Sequence, residues 1–504
     1  MALIVPTNGR AMTASDPLAR PGPEPRAPNP PLDCRHIGIL NDYLRVPYAT
    51  GSTFAAQFLH SEFGRRGHAV TLVGARDPSC PPEELPARRV LLRSLPIRSQ
   101  PGFHLPFPSP DALRELEAQN FDVLVGQTGS KLMEAGVWLR NRQGVPLVCV
   151  NTTMLARLYD ALLPEALSRN PTAQRIARFT LATFAEQASV RAFNQSDCLV
   201  VLSKGLERYW RERGVRVPIQ VIPRPVNPRV AASETGEDPF SPLAKPGGRL
   251  LVLCRLVREK GVGRIIDIFA RHVAPRSNEV TLTLVGDGAD HDAFKRQAAR
   301  LGVAHRVFFP GEVPVTEVRS WYSHADLFVY ASMSETYGQV VSEAMYCGLP
   351  VVAFDDEAGV AQQVSSGKDG LLLPPGPDAD TADAAFGSEV LALLEQPSRR
   401  RWLAEAAARN ARARSEPSRV IEAYYAAFER ARRHRALCRP DFGFREQARM
   451  LTEWTAVHAT VAALGLMRPP AILNRYGAEH PRWSESRPVR GAARGKVVSL
   501  FGDS

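Results

Sequence analysis

Two glutamates eight positions apart, Glu335 and Glu343, flank Gly338 and Gln339 in the stretch SETYGQVVSEAMYCGLP, residues 334–350. The run after Gly338 reads as a helix, with the glycine at its start. A helix start favours anions, because its first N–H groups lack partners and its dipole presents a positive end. At a rise of about 1.5 Å per residue, Glu343 lies about one and a half turns into that helix. Glu335 stays in the preceding loop. Carboxylates accept hydrogen bonds from hydroxyls. Such a segment suits a ligand that carries both a phosphate and sugar hydroxyls.

Other signals precede it in order. CRLVREKG, residues 254–261, puts Arg255 and Lys260 just beyond a strand end. There they can neutralise a diphosphate leaving group through charge-assisted hydrogen bonds. Gly286 and Gly288, in GDG, end a further strand, where backbone can approach a nucleotide closely. The loop of FFPGEV, residues 308–313, could pack against a base. One D-x-D, Asp378-Ala379-Asp380, falls in a Pro/Gly-rich turn after the last strand, and no metal is expected there.

The elements that position these residues come in two series. Residues 1–32 are Pro-rich and read as a disordered tail. HIGIL then reads as a strand, NDYLRVPYATGS as a loop carrying Gly51, TFAAQFLHSEFGRRG as a helix and HAVTLVGA as a strand. Backbone at Gly51 can approach a ligand. Strands recur at FDVLVG, PLVCV, DCLVVLS and IQVIP, and this alternation with helices predicts a parallel sheet over residues 33–228. A polar linker spans 229–247, and the alternation restarts over 248–415. Amphipathic helices and a basic tail fill 416–504. Two such units face each other across a cleft, with ligands at the carboxyl ends of the strands.

Composition narrows the class. Hydrophobic content is 44% and charged content 23%, as in a globular protein. The net charge of +11 favours anionic partners such as phosphorylated small molecules or acidic lipid surfaces. The basic residues are dispersed and form no nucleic-acid-binding module, so nucleic acid is not an expected partner. The seven cysteines are scattered without a C-x-x-C pair, which fits a reducing cytoplasm rather than a zinc site or disulfide framework. No apolar run reaches the roughly 18 residues of a membrane span, so any membrane contact is peripheral, on the inner face.

In their order and spacing, these motifs, with CGLPVVAF and GVAQQVSSGKDGLLLPPG, closely resemble the retaining glycosyltransferases of family 4. The resemblance covers most of residues 35–435 and is strongest from Leu251 to Gly376. It implies an α/β GT-B fold: two Rossmann-like doubly wound domains facing a cleft, with C-terminal helices packing back on the first. It also implies a hexosyltransferase that uses a nucleotide-diphosphate sugar, without cofactor or metal. By the same resemblance Arg255 and Lys260 contact the donor diphosphate. Glu335 faces the donor sugar, and Glu343 binds the ribose hydroxyls. Backbone around Tyr337, Gly338, Gln339 and Val340 contacts phosphate or sugar. The implied mechanism is front-face displacement, in which the leaving diphosphate takes the acceptor proton. That chemistry needs charge stabilisation and positioning rather than a protein base.

The sequence departs from the family pattern at three places. Cys254 stands where a glycine commonly precedes the arginine. Asn151-Thr152-Thr153 stands where the first lobe commonly carries His-Thr, and Asn151 can donate to a sugar hydroxyl but cannot carry a proton. IPRPVNP lacks the usual Asn-Gly pair.

The acceptor side gives two further expectations. LPIRSQPGFHLPFPSP, residues 95–110, resembles a loop of the branch that glycosylates diacylglycerol-type lipids. The segment 167–193 places Arg169, Arg175, Arg178 and Arg191 beside an apolar face, which suits either an anionic membrane or an ordinary packed helix. The expected acceptor is a lipid or lipid-linked glycan. A soluble or polysaccharide acceptor, or a non-catalytic GT-B-like binding protein, are the alternatives.

Overall fold

A computed structural model describes residues 34–437, apart from 43–50, 79, 81–84, 97–103, 108, 128–130, 244–247, 334, 377 and nearly all of 153–182. Beyond Leu437 it describes only scattered positions between Arg449 and Ala459. The N-terminal tail, the basic C-terminal tail, Arg169 and Arg178 lie outside the described residues.

The first lobe is built on strands β1 (His36–Asn41), β2 (Ala69–Ala75), β3 (Arg89–Pro96), β4 (His104–Phe107), β5 (Val123–Gln127), β6 (Leu147–Val150), β7 (Cys198–Val201) and β8 (Ile219–Val221). Their order is β4-β3-β2-β1-β5-β6-β7-β8. All neighbours are parallel except β3 and β4. Ile37 pairs with both Val70 and Val123, so β1 is central. The sequences of β5, β6 and β7 are nearly all apolar and fully buried, because helices cover both faces of a parallel sheet.

The second lobe holds β9 (Arg249–Leu253), β10 (Thr281–Val285), β11 (Val307–Gly311), β12 (Leu327–Tyr330), β13 (Val351–Phe354) and β14 (Leu371–Leu373). Their order is β11-β10-β9-β12-β13-β14, all parallel. Strand order reverses at β9, between β10 and β12. Loops leaving β9 and β12 therefore diverge and open a crevice at the carboxyl edge.

The helix Pro417–Leu437 follows the second lobe in sequence but joins the core of the first. Val420, Ile421, Tyr424, Ala427, Phe428 and Ala431 recur at helical spacing and are buried there. Phe428 packs on Phe63 of the helix Gly51–Arg65, with ring centroids 5.6 Å apart. The helix is also pinned by polar contacts. His68 Nε2 lies 2.7 Å from the Tyr425 hydroxyl, and Arg435 Nη2 donates to the Arg140 carbonyl at 2.6 Å. Arg140 itself forms a buried fork with Asp197, at 2.8 and 2.5 Å. A planar guanidinium matched to a carboxylate is among the few pairs worth burying.

Several local expectations are corrected. Gly51 is the first residue of its helix rather than part of a loop. Residues 104–107, within the stretch read as a loop, form an antiparallel strand whose Pro96–His104 pairing extends the sheet edge. Part of the expected linker is core: Val230 and Phe240 are buried in the second lobe's apolar cluster. Of FFPGEV, Phe308 to Gly311 belong to β11, and only Glu312 and Val313 lie in the loop beyond it. In the D-x-D, Asp378 caps the helix Ala379–Glu395 by accepting from the N–H groups of Asp380 and Thr381. Of the arginines in segment 167–193, Arg191 lies on the helix Thr183–Asn194 and pairs with Glu453 at 2.5 Å.

Candidate active site

The crevice after β9 brings two distant segments together. Lys260 ends a short 3₁₀ turn, Arg258–Lys260, on the loop from β9. Glu335 lies on the loop from β12, and the Lys260 ammonium donates to its Oε1. The same oxygen accepts from the Tyr330 hydroxyl at 2.7 Å and from Ser332 Oγ at 3.0 Å. Burial pushes the Glu335 carboxyl up, but the Lys260 charge and these hydrogen bonds outweigh it and hold the group below the usual glutamate range. Glu335 is therefore an ionised carboxylate with one oxygen fixed. No donor to Oε2 occurs among the described residues.

Arg255 lies two residues beyond β9. Its side chain is 70% exposed and makes a 3.3 Å ion pair with Glu259. Cys254, beside it, is buried, and burial pushes its thiol up to about 12. Its carbonyl meets Gly286 so closely that a Cβ there would lie within 2.0 Å. Gly286 therefore serves a close approach between the β9 and β10 loops.

Gly338 has φ +80 and precedes the helix Gln339–Tyr346, a conformation that a side chain would strain. That conformation is held by Gln363, whose buried amide donates to the carbonyls of Tyr337, Gly338 (3.1 Å) and Gly359 (3.2 Å). Asp356 in turn accepts from the N–H groups of Ala358, Val360 and Ala361 and fixes the helix Gly359–Gln363. Tyr337 is buried in the first lobe's core cluster, and Val340 packs against that of the second.

Glu343 is in a different environment from Glu335. It is buried in the helix Gln339–Tyr346, and the Tyr322 hydroxyl donates to its Oε2 at 3.3 Å. Burial pushes its carboxyl up to about 7, and hydrogen bonds from Tyr322 and Gln339 offset this only in part.

The first lobe meets this loop directly. Thr336 Oγ1 donates to the Thr152 carbonyl at 3.1 Å, and Gln339 Nε2 to the Pro225 carbonyl at 3.0 Å. Asn151 is thus brought beside the segment that carries Glu335. It is buried, and its carboxamide oxygen accepts from the Trp210 indole at 3.0 Å. That oxygen is anchored toward its own lobe.

Tyr330, Ser332, Gln363 and Arg224 were not anticipated from sequence. For the first two a signal exists: a carboxylate buried at a strand end needs donors, and hydroxyl residues stand five and three positions before Glu335. Gln363 acts through tertiary contacts and Arg224 is buried by the fold, and spacing reveals neither.

Two family models match the chain. "Glycosyltransferase Family 4" matches residues 51–230 and "Glycosyl transferases group 1" residues 237–410. Among curated proteins, the chain is 24% identical to an alpha-monoglucosyldiacylglycerol synthase of Streptococcus pneumoniae, over 63% of this chain and 70% of that protein. It is 29% identical to a GDP-mannose-dependent alpha-mannosyltransferase of Mycobacterium tuberculosis, over 66% of this chain and 82% of that one. It is 29% identical to D-inositol 3-phosphate glycosyltransferase 2 of Catenulispora acidiphila, over 60% and 70%. Among solved structures, Anabaena HepE in complex with UDP and glucose superposes with a TM-score of 0.56 at 20% identity, covering 77% of this chain and 97% of HepE. That likeness is one of fold.

Proposed function

We propose that this chain, which belongs to glycosyltransferase family 4 and has the GT-B fold, moves a hexose from a nucleotide-diphosphate sugar to a lipid or lipid-linked acceptor with retention of configuration. The observation that carries the donor side is the Lys260–Glu335 pair at the second lobe's switch point. A resting ammonium–carboxylate pair is what a diphosphate would split. Lys260 and Arg255 turn to the phosphates and stabilise the leaving charge. Glu335, kept ionised, faces the sugar and stabilises positive charge developing at the anomeric carbon. Its low proton affinity suits an electrostatic role rather than that of a proton donor.

In this reading the N–H groups around Gly338 and Gln339 bind phosphate or sugar at the helix start, and Glu343 takes the ribose hydroxyls. The leaving diphosphate accepts the acceptor's proton, so no protein base is required. The reading assigns no role to the D-x-D motif, whose Asp378 is engaged as a helix cap.

The lipid acceptor is supported by the pneumococcal relative, an alpha-monoglucosyldiacylglycerol synthase, and by Leu95 and Phe184, large apolar side chains exposed on the first lobe. A soluble acceptor is the second reading, favoured by the inositol phosphate relatives. A donor screen by thermal shift with uridine and guanosine diphosphate sugars, followed by transfer assays, separates them. With the active donor, transfer to diacylglycerol in anionic vesicles, weakening as salt rises, is expected. Transfer only to water-soluble acceptors, with no vesicle binding at low salt, would exclude the lipid reading.

A further inference from the structure

Arg224 follows β8 at the exit from the first lobe and is only 9% exposed. Among the described residues neither its Nε nor its Nη2 has a hydrogen-bond partner. An unpaired guanidinium in a buried position is costly, and proteins rarely keep one without a complement. It lines a small cavity with Gln127, Tyr424, Phe58, Leu202 and Val420, at the carboxyl edge of the first sheet under the helix Pro417–Leu437. The polar atoms there are also incompletely used. Among the described residues Gln127 Oε1 has no partner, and Gln127 Nε2 donates to the Tyr424 oxygen at 3.4 Å, which leaves the Tyr424 hydroxyl hydrogen to give.

Among the described residues no carboxylate forms an ion pair with it. Glu335, the carboxylate whose charge bears on Arg224, already takes three donors on Oε1. Burial lowers the Arg224 pKa to about 10, which still leaves the group charged at neutral pH. Its neighbour Pro225 touches Gln339 at the head of the helix Gln339–Tyr346, so Arg224 sits where the lobes meet.

We propose that Arg224 centres an anion site in the first-lobe wall of the cleft and takes an oxygen of a phosphate group. A guanidinium fork matches phosphate oxygens in charge and plane, and the Tyr424 hydroxyl supplies a further donor. The apolar remainder of the lining has room for a phosphate oxygen rather than for a whole ligand. The phosphate comes either from the donor diphosphate or from a phosphorylated acceptor. The inference rests on the transferase reading only for the location of the cleft. A chain that binds anions through Arg224 yet turns over no sugar nucleotide would sink that reading and leave this one standing.

The test is calorimetric titration of the full chain and of Arg224→Met and Arg224→Lys. The probes are a nucleoside diphosphate, sn-glycerol 3-phosphate and, as a control, glycerol. At least one phosphate-bearing probe should bind the parent protein, bind Arg224→Met at least ~10-fold more weakly, and bind Arg224→Lys at an intermediate level. Loss with the nucleoside diphosphate assigns the donor, and loss with sn-glycerol 3-phosphate assigns the acceptor. If neither phosphate probe binds the parent, or if both bind Arg224→Met as tightly as the parent, the site is overturned. Should Arg224→Met fail to fold by circular dichroism, Arg224→Gln takes its place under the same criteria.

Discussion

Glu335 and Glu343 share a sequence segment and differ in protonation because their neighbours differ. Lys260, Tyr330 and Ser332 surround the first with donors, whereas the second meets mainly Tyr322 and its own helix. Burial raises the Glu343 carboxyl from its ordinary 4.5 to about 7. The facing groups Tyr322 and Cys347 are also raised by burial, so they stay neutral through this range. The sign follows: between those two values the folded chain holds a proton that the unfolded chain has released. This contribution to stability is complete below about pH 4.5 and is lost as pH rises through about 7. Glu343→Gln should therefore gain melting temperature relative to the parent as pH goes from about 5 to 8, and parallel curves across that range would refute the assignment. Nucleotide ribose hydroxyls, by donating to the carboxylate, would pull the group back down. Binding near neutral pH should then release protons, seen as a buffer-dependent heat.

The loop–helix unit 335–346 owes its shape to a neighbouring helix. Gln363 donates to two carbonyls of the turn, Tyr337 and Gly338, and to that of Gly359 in its own helix, and its loss would free the strained Gly338 backbone. Gln363→Leu keeps the volume and removes the donor. It should raise donor KM about 10-fold, since one misoriented charge-assisted contact is worth about that much. A KM within twofold of the parent would show that the turn holds itself. The helix Pro417–Leu437 clasps the first lobe through Tyr424, Tyr425 and Phe428 against Phe63. Phe428→Ala should cost about 3–5 kcal/mol in denaturant unfolding, and a loss below about 1 kcal/mol would mean that the helix is not part of that core.

The bilobal architecture was legible in the sequence because parallel strands buried on both faces leave apolar runs such as LVCV and CLVV, separated by helical periodicity. The position of Gly338 before its helix was legible too, since few residues but glycine stand at φ +80. Partners that depend on three-dimensional approach were not legible. Nothing in the spacing of Trp210 and Asn151, or of Lys204 and Gln362, marks them as contacts, yet Trp210 donates to Asn151 within the first lobe, and the Lys204 backbone donates to Gln362 across the lobes. The strand at 104–107 was hidden because prolines at its margins read as a loop, and an edge strand tolerates them.

In the whole molecule, the two lobes meet around the crevice that holds Glu335, and the proposed role of this carboxylate is to support sugar transfer. The most direct measurement is nucleoside diphosphate release from the preferred sugar donor by the parent protein and by Glu335→Ala, paired with titration of the free nucleoside diphosphate. Release by Glu335→Ala should fall at least ~100-fold, as for loss of one electrostatic stabiliser of the transition state, while the free nucleotide binds within a few-fold of the parent. Equal release by the two proteins would contradict that role.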